Sequence, residues 1–139
     1  MILFLGCAQP NYSNGDNNAN NVTSKNYDCE LKFTNSSTCL SWKWTTLPED
    51  AKSGEIYFEL YWLDSSGLPT FISPLGVVSL VLWMPSMGHG SAPVTVTQID
   101  EGKFLAQSVM FVMPGQWELR FKISDGDTLL DEVIVPYFH

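Results

Sequence analysis

The chain has 139 residues, near the usual size of a single domain and long enough to bury one core. With 45% hydrophobic and 13% aromatic residues, it carries too much apolar material for a disordered chain. A formal net charge of -8 argues against electrostatic capture of phosphate backbones, so no nucleic acid is expected as a partner.

The first residues read Met-Ile-Leu-Phe-Leu-Gly-Cys-Ala, an apolar run that stops at a small residue and a cysteine. Residues 3–7 resemble the lipobox of bacterial lipoproteins. That resemblance implies cleavage before Cys7, a diacylglycerol on its thiol, and contact with the membrane through the lipid anchor alone. The alternative is an apolar start with a free thiol at Cys7. Residues 1–7 are thus expected to be the remnant of a lipoprotein signal, and residues 8–27 a flexible Asn/Ser-rich linker with almost nothing apolar to bury. The sequons at Asn11, Asn21 and Asn35 carry no weight, since an Asn-rich composition produces them anyway.

One folded domain is expected over residues 28–139. Of 3 cysteines, setting Cys7 aside leaves the pair Cys29 and Cys39. A disulfide between them would close a short loop and contribute roughly 2 to 3 kcal/mol in the chain-entropy model, given an oxidising compartment. Two buried reduced thiols or a thiolate metal pair are the alternatives; the second lacks the further cysteines or the nearby histidine that a zinc-like set needs.

Beyond Cys29 the hydrophobic period is two. In 55–62, Ile56, Phe58, Leu60 and Trp62 alternate with Glu55, Tyr57, Glu59 and Tyr61, the pattern of a half-buried strand with one wet face. Residues 116–123 repeat it, with Trp117, Leu119, Phe121 and Ile123 against Gln116, Glu118, Arg120 and Lys122. Leu40, Trp42 and Trp44 alternate as well, and 76–84 is a nearly continuous apolar run that suits a central strand. Further strands are expected over 29–34, 93–99, 104–112 and 129–135. Turn signals separate them at Asp64-Ser-Ser-Gly67, Asp100-Glu-Gly102, Met113-Pro-Gly115 and Asp125-Gly-Asp127. The expected fold is all-β: an immunoglobulin-like β-sandwich of seven to eight antiparallel strands, with a small barrel as the alternative.

The chemistry concentrates in one stretch. Apart from Met1, the methionines all fall between Met84 and Met113, and His89, one of 2 histidines, lies among them. Thioether sulfur is a soft, neutral ligand that favours Cu(I), and imidazole also accepts copper, so a set of Met84, Met87, His89 and Met113 suits Cu(I) or Cu(II) better than a hard cation or zinc. Pro85 breaks the strand, and the glycines flanking His89 let the backbone curl so that these side chains converge.

These residues also carry a resemblance. The motifs Trp83-Met-Pro-Ser-Met-Gly-His-Gly90 and Met110-Phe-Val-Met-Pro-Gly-Gln-Trp117, with Gly102-Lys-Phe104 between them, are similar to those of the YtkA-like, FixH-related domain over about 55–134. The resemblance implies a secreted or membrane-attached β-sandwich, often a lipoprotein of the bacterial cell envelope, periplasmic or surface-facing. Its family is associated with cation or copper handling rather than a known reaction, and a copper-delivery or envelope protein is the partner to expect.

Each residue also has a structural role to weigh. Methionine fills cores, and Met110 is expected there, since Met110 and Met113 would face opposite ways on one strand. Strand alternation sends Trp83 away from Met84, and His139 has the position of a frayed end. No Ser/His/Asp or Cys/His set has local support, so no enzyme is expected. The alternative to metal binding is an envelope interaction module that grips a protein or glycan through an aromatic strand face, with Tyr57 and Tyr61 exposed on it.

Overall fold

The computed structural model describes residues 25–139; Cys7 and all but the last residues of the expected linker lie outside them. Ten strands follow in order: β1 (Leu31–Lys32), β2 (Cys39–Thr46), β3 (Gly54–Leu63), β4 (Pro69–Phe71), β5 (Val77–Met84), β6 (His89–Gly90), β7 (Thr95–Asp100), β8 (Lys103–Val109), β9 (Gln116–Asp125) and β10 (Thr128–Phe138). Three of these have only two or three residues. The other seven match the expected number, and no helix occurs among the described residues.

The strands form two antiparallel sheets. One runs β1-β2-β3-β8-β7 with β4 also on β3, and the other runs β10-β9-β5-β6. Taking the long strands alone, β2-β3-β8-β7 faces β10-β9-β5, the four-against-three order of a constant-type immunoglobulin sandwich. The alternation seen in the sequence sets the facing. Ile56, Phe58 and Leu60 from β3, Leu80, Leu82 and Met84 from β5, and Trp117, Leu119 and Phe121 from β9 fill one core between the sheets.

Local chemistry adjusts this plan. Ser108 adopts φ 62°, and the β3/β8 register shifts between Gly54↔Val109 and Ile56↔Ala106. This bulge resets the alternation, so Val109 and Phe111 enter the core while Met110, expected there, is only half-buried. The strand ends at Val109, and Met113 therefore lies in a loop rather than on a strand. The apolar run before Met84 is not a central strand either: β5 has β9 on one side and only the two residues of β6 on the other.

Cys29 and Cys39 are disulfide-bonded, with Cα atoms 5.1 Å apart. The bond fastens the chain entering the domain to the start of β2, and residues 25–28, just before it, lie on the outer face of β3. Lys25 Nζ pairs with the Glu59 carboxylate and donates to Ser41 Oγ at 3.0 Å. Tyr27 packs edge-on against Tyr61 at 5.1 Å and Phe71 at 5.8 Å.

Candidate metal centre

The hairpin from β5 to β6 gathers part of the Met/His set. Met84 and His89 are directly opposed Cα partners, so their side chains stand on the same face of the sheet. The four residues between them make a tight turn in which the N–H groups of Met87 and Gly88 both donate to the Met84 carbonyl, at 3.2 and 2.9 Å. Gly88 closes it in the left-handed region at φ 65°, a conformation that costs glycine nothing.

The four residues differ in depth. Met84 is 3% exposed and continues the inward series of Leu80 and Leu82, whereas Met87 at the tip of the turn is 58% exposed. His89 lies between these extremes, its ring edge-on to Trp117 at 6.1 Å. Its Nδ1 lies 3.0 Å from the Gly90 carbonyl oxygen. A carbonyl can only accept, so Nδ1 is the donor, and in the neutral ring this leaves the Nε2 lone pair as the one open to a metal.

Met113 arrives from the other side. The loop between β8 and β9 is held by Trp117, whose Nε1–H donates to the Met113 carbonyl at 3.0 Å. Two residues on, Gly115 passes so close to Met84 that a Cβ built on it would lie 2.7 Å from the Met84 methyl carbon. The Met113-Pro114-Gly115 turn therefore lies against the hairpin at the end that carries Met84. The Met113 side chain is 37% exposed there. Among the described residues no three His, Cys, Asp or Glu side chains form a metal-holding group, so any site here depends on thioether sulfur.

Sequence reasoning did not bring in Trp117 and Phe111 as walls of this end. The two rings pack at 5.3 Å, and both belong to the core. Both lie within the Met110-to-Trp117 motif, but nothing local says that Trp117 packs beside His89. Trp83 does face away from Met84, its ring under the Arg120 guanidinium at 5.3 Å.

The tyrosine face is different from the one expected. Tyr61 is buried, and its hydroxyl donates to the Asp28 carbonyl; the half-buried Tyr57 donates to Glu59 Oε1 at 2.7 Å. Burial and the neighbouring Asp28 and Glu59 carboxylates push the Tyr61 hydroxyl up to about 12. Burial and the bond to Glu59 push Tyr57 up still further. An exposed grip formed by Tyr57 and Tyr61 is thus corrected: residues 25–28 cover it. Trp62, expected on the buried face, is instead 52% exposed.

Trp62 lines a groove of about 700 Å³ at the end of the sandwich opposite the Met/His hairpin, together with Ile72, Leu75 and Leu130. Its floor is fixed by Asp131, which is buried and accepts backbone N–H bonds from Asn35, Ser36 and Glu132 at 2.9, 2.8 and 3.0 Å. Burial pulls this carboxyl upward, but the bonds from Asn35 and Ser36 outweigh it and hold the group below its ordinary value.

No family model, curated protein or solved structure matches this chain.

Proposed function

We propose that this chain is an exported, lipid-anchored β-sandwich of the YtkA-like kind that binds copper through Met84, Met87, His89 and Met113 and hands it on at the bacterial cell envelope, without catalysing a reaction. The observation that carries this reading is the opposition of Met84 and His89 across the hairpin, with the Met113 turn lying against Met84. Neutral thioether and imidazole donors suit a soft, low-charge ion, and a net charge of -8 favours the approach of any cation. The exposed Met87 gives an ion a way in and out. The Cys29–Cys39 disulfide supports a home in an oxidising compartment.

The test is a Cu(I) titration of the full chain against a chromophoric chelator, free of oxygen and of thiol reductants so that the disulfide survives. Cys7 is replaced by serine, because a free thiolate would itself capture Cu(I). Sub-micromolar binding that disappears in the Met87→Ala/His89→Ala variant is the expected result; failure of the parent chain to compete would overturn the copper reading.

A further inference from the structure

The groove beside Trp62 has both of its sides fastened. On one side the chain before β2 is tied to β10, which carries Leu130: Asn35 Nδ2 donates to the Leu130 carbonyl at 2.6 Å, and the Thr34 hydroxyl donates to the Glu132 carbonyl at 3.2 Å. On the other, Ile72 N–H donates to the Leu60 carbonyl at 3.0 Å, and Ser73 Oγ accepts from Gln98 Nε2 at 2.6 Å and from Gly102 N–H at 3.3 Å. Gly76 then passes so close to β9 that a Cβ built on it would lie 2.7 Å from the Ser124 carbonyl oxygen. These bonds hold Trp62, Ile72 and Leu130 around a cleft of about 700 Å³. Clefts of roughly 300 to 1,000 Å³ are the size that takes one small ligand, and walls already fixed lose little freedom when it binds.

The charge around the cleft has one sign. The turns at this end, 64–68, 100–102 and 125–128, carry Asp64, Asp100, Glu101, Asp125 and Asp127 and no lysine or arginine; the segments 34–38 and 72–76 have no basic residue either. Two carboxylates line the groove itself. Both oxygens of Asp131 are taken by backbone N–H groups, so that carboxylate is committed to the fold. Glu101 is exposed and pairs with no cation among the described residues. Apolar walls inside and carboxylates around the mouth suit a molecule with an apolar body and a positive end.

We propose that this groove binds a small amphiphilic cation, an apolar chain that ends in an ammonium group. The chain lies against Trp62, Ile72 and Leu130, and Glu101 holds the ammonium. The groove and the hairpin are at opposite ends of the sandwich, so neither site depends on the other.

The experiment titrates the full Cys7→Ser chain, with 15N-labelled tryptophan, with decylammonium and separately with decanol and decanoate, each below its micelle concentration. The Trp62 indole signal, identified by its loss in Trp62→Phe, should shift saturably with decylammonium at below about 1 mM. Decanoate should bind at least about tenfold more weakly, with decanol between them. Glu101→Gln, a change at an exposed turn, should bring decylammonium down to the level of decanol, and Leu130→Ser should weaken all three probes. No Trp62 shift with decylammonium, or decanoate binding as well as decylammonium, would overturn the proposal. So would a Trp62 signal that moves with protein concentration alone while the chain sediments as a dimer, because the occupant would then be a second copy.

Discussion

Two clusters of polar and soft side chains lie on opposite sheets, and they differ in whether their binding capacity is used within the fold. On the outer face of β3, Lys25, Tyr57, Glu59 and Tyr61 are matched to one another and to residues 25–28: an ion pair, two hydroxyl donors with their acceptors, and a tyrosine packed on top. At the β5–β6 hairpin, the thioethers of Met84 and Met87 and His89 Nε2 keep their lone pairs, with only Nδ1 of the ring engaged by the backbone. On the proposed function, the first cluster is a structural contact and the second a ligand set. Residue type did not distinguish them; the partners did.

The contrast can be broken by mutation, starting where the fold is most committed. Glu59 is 4% exposed and serves both Lys25 and Tyr57, so Glu59→Ala should lower stability by about 2 to 3 kcal/mol in urea melts, as expected for removing a buried, charge-assisted acceptor, and leave metal affinity as in the parent. A loss of metal binding there would mean the two clusters are one system. On the other sheet, Met84→Leu keeps volume and removes sulfur: less than about 1.5 kcal/mol of stability should go, while Cu(I) affinity should fall clearly in the chelator assay.

Tyr61→Phe is smaller, about 1 kcal/mol, for one hydrogen bond to a carbonyl. It also carries a pH signature. The folded protein holds the Tyr61 proton up to about 12 against an ordinary value near 10, so between those values the native state binds more protons than the unfolded one. Stability is therefore full below pH 10 and declines as pH rises towards 12; in Tyr61→Phe that decline should be shallower in melts recorded over the same range. Least of all, Met87→Ala should change stability by no more than about 0.5 kcal/mol, because its side chain lies at an exposed turn tip. A large thermal shift for that variant would place Met87 with the structural residues.

Much of this was legible in the sequence. Period-two alternation identified the inward residues of β2, β3 and β9, and the Pro and Gly signals around His89 marked the turn that sets it opposite Met84. Alternation tells which residues share a face but not what covers that face. Glu59 and Tyr61 are buried by residues 33 or 34 positions away in sequence, and no local pattern announces that. Trp62 follows its strand's rule and still meets solvent, because the space between it and Leu130 of the opposing sheet is an open groove. Met110 was misplaced by a single backbone conformation at Ser108. The closeness of Gly115 to Met84 depends on the pairing of β5 with β9, strands far apart in sequence, which only the tertiary structure contains.

The most direct test of the hairpin as a copper site is X-ray absorption on the full Cys7→Ser chain loaded with one equivalent of Cu(I). The expected spectrum has sulfur scatterers together with the outer-shell pattern of imidazole, and the sulfur shell weakens in Met84→Leu. A first shell of oxygen or nitrogen alone, unchanged by Met84→Leu and by Met87→Ala/His89→Ala, would contradict it.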